Sequence, residues 1–409
     1  MLNILWVSFF IISFIFALIK SLYLGQINIW NELTISLFVS AKSAFSICLN
    51  LTGILCLWLG LLKIAEVSGL TRVLAFILQP LFKKIMPEVP QNSPAIGSII
   101  MNIAANMLGL DNAATPMGIK AMEQLQKDNP HPDKASKAQQ MFMVINASAV
   151  TLIPITILMY RSELGASNPA AVFVPILLAT SVSTLVGFLS ISMVQKLNIF
   201  NKVVLFYLFF AIAFILGIAI GFNYLSPEQR INTASAIGNF VLFFMVIVFI
   251  GYGVIKKINV YDTFIIGAKE GFEIAIKIVP YLVAMLTAIS VLRSSGVLDA
   301  LILGFEKLFT FWEINTDFAP ALPTAFLKPF SGSGARAMMI ETMQNYGADS
   351  FAGFTSAVIQ GSTETTFYVL AIYFGSVGIS KVGAALPCAL LADLAGIIAA
   401  IGFSYMFFE

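Results

Sequence analysis

Charge is what this chain lacks. Asp, Glu, Lys and Arg make up 11% of its 409 residues and hydrophobic residues 59%, so it carries about half the charge of a soluble domain. The only histidine, His131, lies in an Asn-Pro-His-Pro loop, and all three cysteines, Cys48, Cys56 and Cys388, lie in apolar runs. Neither a metal or haem site nor a disulfide framework has ligands at a workable spacing, and no cofactor is expected. The formal net charge of +2 says nothing about nucleic acid, and no basic cluster or stacking motif suggests it, so no nucleic-acid partner is expected. No Ser-His, zinc-binding or paired-aspartate arrangement supports an intramembrane enzyme, so no catalytic residue is assigned.

What fills the chain instead is apolar runs of about 18 residues or more, the length that crosses a bilayer as a helix. Alternating ten-residue stretches of a β-barrel are missing. Nine full spans are read, at 2–20, 38–63, 138–160, 169–195, 203–222, 236–255, 264–291, 351–375 and 378–407. The first lacks a basic leader and a small-x-small cleavage site, and so reads as a retained helix rather than a signal peptide. Stretches 92–122 and 318–346 are too interrupted by Asn, Pro, Ser and Gly to be ordinary spans. Broken backbone at membrane depth persists only where protein buries it or it lines a watery cavity, so each is expected to be a re-entrant helical hairpin. Amphipathic stretches 70–86 and 297–312 suit helices lying at the interface or beside the bundle.

Residues 41–82 and 268–309 align without a gap at an offset of 227, and 11 of the 42 positions are identical, including Ser68-Gly69 with Ser295-Gly296. Lysines gather after the second span, around loop 128–137, at 196–202 and at 256–257. The positive-inside rule then places the N-terminus in the cytoplasm and the C-terminus outside. On this count the two copies cross in opposite directions, the inverted-repeat plan of many secondary transporters.

Each half carries a polar island that a lipid-buried chain has no packing reason to keep. The strongest is Gln360-Gly-Ser362-Thr363-Glu364-Thr365-Thr366, where hydroxyls surround an intramembrane carboxylate. The second is Lys328-Pro-Phe-Ser331-Gly-Ser333-Gly-Ala-Arg336. Its glycines allow a tight turn, its helix start favours anions, and two cations stand beside it. The first half answers with Asn106, Asp111 and Asn112, then Asn146, Ser148 and Thr151. A shift of 221 sets Asp111-Asn112 opposite Gly332-Ser333, and a shift of 214 sets Ala147-Ser148 opposite Gly361-Ser362.

At these islands the chain resembles a known family. Asn106-Met-Leu-Gly-Leu-Asp-Asn-Ala-Ala-Thr-Pro116 and the stretch from Asn146 to Pro154 are similar to spore maturation protein A. Lys328 to Arg336 and Gly361-Ser-Thr-Glu-Thr-Thr-Phe-Tyr368 are similar to spore maturation protein B. The resemblance implies a fusion of two nucleoside-recognition or "Gate" domains over 1–198 and 199–409, related to concentrative nucleoside transporters and to the membrane part of the ferrous iron transporter B. It implies transport without naming a substrate.

The expected fold is an all-α polytopic membrane protein with two inverted-topology repeats, each with a re-entrant hairpin. The expected function is secondary transport of a small polar organic solute across the bacterial inner membrane, with nucleoside or ion transport and a non-transporting membrane partner of envelope or spore-maturation enzymes as alternatives. Glu364 is expected to hold a cationic group, a proton or a coupling ion. Arg336, Lys328 and the hairpin amides are expected to hold an anionic group. Ser331, Ser333, Gln360, Ser362, Thr363, Thr365, Asn106, Asp111, Asn112, Asn146 and Ser148 complete the expected site. A site of both signs favours a zwitterion such as an amino acid or short peptide. A coupling H+ or Na+ at Glu364 or Asp111 and assembly into a homo-oligomer are compatible with this reading.

Overall fold

The computed structural model describes residues 2–90, 93–108 and 111–408, with side chains described for 3–90, 93–108 and 114–408. Seventeen α-helices follow one another among these residues. The first half contributes α1 (Leu2–Tyr23), α2 (Ile29–Ser68), α3 (Leu70–Ile85), α4 (Pro94–Met107), α5 (Asp111–Lys127), α6 (Lys137–Ala147), α7 (Ile155–Glu163) and α8 (Phe173–Gln195). The second contributes α9 (Lys202–Asn223), α10 (Pro227–Ile255), α11 (Val260–Ser294), α12 (Val297–Thr310), α13 (Leu322–Leu327), α14 (Gly332–Tyr346), α15 (Phe351–Gly361), α16 (Thr366–Gly375) and α17 (Ala385–Phe408). Seven of the nine expected spans are continuous helices long and apolar enough to cross a membrane. The chain is a polytopic all-α membrane protein.

The other two expected spans differ. The helix expected over 138–160 is interrupted between Ala147 and Ile155, and the one over 351–375 between Gly361 and Thr366. The local sequence explains both. Pro154 has no amide to donate to a continuing helix. Ser148, Ser362 and Thr365 carry hydroxyls that compete with the backbone for its own hydrogen bonds. The apolar runs on either side conceal the interruption from any hydropathy average.

The two longest helices, α2 and α11, pack against each other antiparallel. Their crossing is made of glycines: a Cβ on Gly267 would lie 2.4 Å from the Leu59 carbonyl, and one on Gly271 2.7 Å from that of Leu55. Without side chains the two backbones approach closely, the usual route to helix association in lipid. Lys63, at one end of this crossing, pairs with Glu66 at 3.1 Å and Glu270 at 3.0 Å. Both long helices end in the same device. Gly69, between α2 and α3, and Gly296, between α11 and α12, adopt φ of 83° and 87°, a left-handed conformation that only glycine takes without strain. These are the two glycines that the 227-residue offset superimposes.

The halves interlock. Tyr373 of α16 packs against Phe142 of α6 with ring centroids 5.5 Å apart, and its hydroxyl accepts a hydrogen bond from Asn102 Nδ2 of α4 at 3.0 Å. In the other direction Arg336 of α14 stands over the Tyr160 ring of α7, 5.9 Å from its centroid. At one end of the bundle, loop 128–137 docks on the turn before α17: Ala135 N donates to Lys381 O at 2.9 Å, and Lys381 Nζ pairs with Asp133 at 2.7 Å. Loop 128–137 is therefore anchored at its far end. At the other end the buried Arg161 of α7 donates to Ala348 O at 2.6 Å and pairs with Asp349 at 3.1 Å, just before α15. Outward faces of α9 and α10 present Phe206, Phe209, Phe210, Phe240, Phe243 and Phe244, as suits helices against lipid.

Candidate functional site

Both broken helices interrupt at the centre of the molecule, and their loose ends are tied to each other. Glu364 N donates to Ala147 O at 2.9 Å, joining the second break to the last carbonyl of α6. Each break is also tied to its own hairpin, Leu152 N to Met107 O at 2.9 Å and Phe367 N to Pro329 O at 3.0 Å. Shifted by 214 and 221, the partners of the first bond fall one residue short of the partners of the second. Backbone groups freed by the breaks thus find partners in protein, as they must at membrane depth.

Around this crossing lies a cavity of about 1090 Å³, lined among others by Asn106, Asn146, Ser331, Gly332, Ser333, Arg336, Glu364 and Thr365. A smaller one of about 130 Å³ adjoins it and is lined by Lys328, Gln360, Thr363, Thr151 and Tyr160. Asn106, Gly332, Arg336, Glu364 and Thr365 border both. Ten of the fourteen residues singled out in the sequence therefore line one cavity or the other.

The remaining four divide in two. Ser148 and Ser362 are fully buried and line neither cavity; Ser148 Oγ donates to Val144 O and Ser362 Oγ to Ile359 O, each within its own helix. They terminate helices instead of facing a solute, and so leave the set of candidate contacts. Asp111 and Asn112 lie outside the residues whose side chains are described, as does the tip at 109–110, although the backbone of α5 does begin at Asp111.

Charge is unevenly spread over the larger cavity. The start of α14 borders it, where Ser331 Oγ accepts from Gly334 N at 3.0 Å. Its oxygen accepts at the cap and its O–H is still a donor, so this hydroxyl and the amides ahead of Gly334 are the groups available to an anion. Arg336 follows one turn later on the same helix. A Cβ on Gly332 would come within 2.7 Å of Thr365 Oγ1, so the hairpin tip rests directly on the second break. Across that break Glu364 is exposed to the cavity while its neighbours Thr363 and Thr365 are buried. The first half supplies neutral amides: Asn106 Nδ2 donates to Asn146 Oδ1 at 2.9 Å, and Asn146 Nδ2 to Phe142 O at 2.9 Å.

Two buried charges escaped the sequence reading. Asp393 of α17 lies behind the second break, where Thr366 Oγ1 donates to it at 2.7 Å. Arg161 locks α7 to the turn before α15. Both stand in apolar runs, and the rule that an intramembrane charge marks a site or a lock would have found them. The Glu341–Arg293 pair, with Asp299 2.9 Å from the same guanidinium, forms a third cluster away from both cavities.

A sequence profile described as nucleoside recognition ("Gate") matches residues 48–167 and 275–380. The chain is 40% identical over 183 residues to spore maturation protein A of Bacillus subtilis, covering 45% of this chain and 90% of that protein. It is 49% identical over 150 residues to spore maturation protein B of the same organism, covering 37% of this chain and 83% of that protein. No solved structure matches the chain.

Proposed function

The chain belongs to the nucleoside-recognition (Gate) family, and from that premise we propose that it is a secondary transporter of a small zwitterionic solute, an amino acid or short peptide. The observation that carries this reading is a single cavity lined both by a carboxylate, Glu364, and by a guanidinium with a capped helix start, Arg336 and Gly332-Ser333. Glu364 holds the solute's ammonium, and Arg336 with the first amides of α14 holds its carboxylate. Asn106 and Asn146 supply neutral hydrogen bonds from the first half. Lys328, Gln360 and Thr363 stand behind the break, along the smaller cavity.

Movement follows from the interlocked halves. The antiparallel α2 and α11, with equivalent glycine hinges at their ends, support an inverted-repeat frame with halves at 1–198 and 199–409. Rocking one against the other would open the crossing of the broken helices alternately to each side. The lysine-rich end faces the cytoplasm in this reading, and the membrane is the bacterial inner membrane. The names of the relatives favour one rival, a non-transporting membrane partner in spore maturation. That role leaves the charged cavity without a purpose.

The test is a thermal-shift screen of the full chain in detergent with amino acids, dipeptides, nucleosides and simple salts, followed by uptake of the hits into proteoliposomes. Zwitterions should stabilise the protein, and an imposed gradient should drive their uptake. Stabilisation by nucleosides alone, or by no small solute at all, overturns the reading.

A further inference from the structure

The charges of the larger cavity gather at one end of it. Among the described residues that line it, Arg336 and Glu364 are the charged ones, and both also border the smaller cavity at the second break. From there the lining follows α16 away from the break, past Leu370, Ala371, Phe374 and Gly375, and on to Val382 and Leu386. α16 has 10 residues, so this arm runs for about 15 Å along the helix alone. Phe330 of the hairpin and Phe367 of α16 stack where the arm begins, their centroids 5.2 Å apart and their planes at 9°. Ala371 and Gly375, one turn apart on the same face as Phe367, are exposed. The arm is open at its far end, where a Cβ on Gly375 would have nothing within 4 Å.

A small polar solute has no use for such an arm. The cavity, about 1090 Å³ in all, stands at the upper end of the roughly 300–1,000 Å³ of small-molecule sites, far more than glycine or serine fills. In those sites apolar walls take the body of the ligand, and a few polar groups fix its orientation. The same division holds here, with the polar groups at the break and the apolar ones along α16. Aromatic and aliphatic walls facing water gain nothing, whereas a hydrocarbon chain laid against them leaves water with a gain proportional to its area. An uncharged hydrocarbon, for its part, has no use for Glu364 and Arg336 at the inner end. A ligand that satisfies both regions is charged at one end and apolar along the rest.

We propose that the solute is a zwitterion with a large apolar side chain, a long aliphatic or aromatic amino acid or a short peptide that carries one. Its charged groups bind at Glu364 and Arg336, and its side chain lies along α16 from Phe367 towards Gly375. The stacked Phe330 and Phe367 are the first surface the side chain meets. Ala371 and Gly375 set how long it can be, because their small size leaves the room. This deepens the transporter reading and rests on it, since the same two charges hold the solute.

The test is binding of alanine, norvaline, norleucine and their longer straight-chain homologues to the full chain in nanodiscs, read as thermal stabilisation at graded concentrations. Charge is constant along this series and only the apolar length grows. Affinity should rise about fourfold for each added methylene, the equivalent of about 0.8 kcal/mol, until the arm is full. Ala371→Trp and Gly375→Trp put bulk into the arm at exposed positions and should end the rise at a shorter chain than in wild type. Should tryptophan prevent folding, Ala371→Leu and Gly375→Leu make the same test with less bulk. Alkylamines and fatty acids of matching length carry one charge each and should bind about tenfold more weakly or worse. Equal affinity along the series overturns the proposal and leaves the zwitterion reading standing, and so does a rise that the variants do not shorten. Alkylamines or fatty acids that bind as tightly as the amino acids overturn it in favour of simple partitioning of chains. Binding of no member of the series overturns this proposal and the zwitterion reading together.

Discussion

The two breaks occupy corresponding places and do different work. The first, between Ala147 and Ile155, is neutral: Asn146 points a carboxamide at Asn106, and no charged side chain of that break borders the larger cavity. The second, between Gly361 and Thr366, carries Glu364, rests on a hairpin that brings Lys328 and Arg336, and has Asp393 behind it. Backbone geometry repeats, down to the bond that ties each break to its own hairpin, while the chemistry does not. In the proposed transporter, broken helices in both halves make the cavity and one set of charges holds the solute: the first break supplies shape and neutral hydrogen bonds, and the second supplies recognition.

Disturbing what holds the breaks in register should have the largest effect. Arg161→Ala removes a buried guanidinium that joins α7 to Ala348 and Asp349, and should cost about 3 kcal/mol of stability, read as a lower unfolding temperature. Asp349→Ala should cost less, about 1.5 kcal/mol, because Asp349 is half exposed and the carbonyls still accept from Arg161. If both variants unfold like wild type, the register of the breaks is set elsewhere.

Next come the neutral contacts. Asn146→Ala and Asn106→Ala should weaken binding of the best solute three- to tenfold, about 0.7–1.4 kcal/mol, as measured by titration calorimetry. Effects as large as those of charge removal at the second break would erase the contrast between the two.

Ser148→Ala and Ser362→Ala should leave solute affinity unchanged within about twofold, since each hydroxyl bonds a carbonyl of its own helix and faces no cavity. Affinity lost in either would return these serines to the site.

The smallest effect belongs to the exposed Asp133–Lys381 pair. The hydrogen bond from Lys381 holds the Asp133 carboxyl below the ordinary carboxylate range and lifts the lysine above its own. The pair's contribution is therefore present between those ranges. It is lost as pH falls through the lowered value of Asp133, and again as pH rises through the raised value of Lys381. Solvent screens it, so Asp133→Asn should barely move the unfolding temperature at neutral pH. A large drop would mean that this docking, and not the Arg161 lock, holds the halves together.

Much of this contrast was legible in the residues. The offset of 227 paired Gly69 with Gly296, and both turn left-handed between a long helix and an amphipathic one. The shift of 214 paired Ala147 with Gly361, and these are the last residues of α6 and α15; the shift of 221 paired Asp111 with Gly332, and these open α5 and α14. The breaks themselves were hidden because the residues around 148–154 and 362–365 are few, and long apolar runs on both sides outweigh them in any window. Asp393 went unseen for the same reason. Contacts such as Asn102 with Tyr373 had no signal at all, because one sequence does not say which half reaches across to the other.

The central claim is that Glu364 and Arg336 hold opposite ends of one solute, and a double-mutant cycle on solute-induced thermal stabilisation tests it most directly. Glu364→Gln and Arg336→Gln should each weaken binding of the zwitterion ten- to a hundredfold, about 1.4–2.8 kcal/mol. The double variant should bind no better than the weaker single one, while all three unfold near wild type without solute. Binding that recovers in the double variant would mean that the two charges only neutralise each other, and binding undiminished in Glu364→Gln would remove the site from the second break.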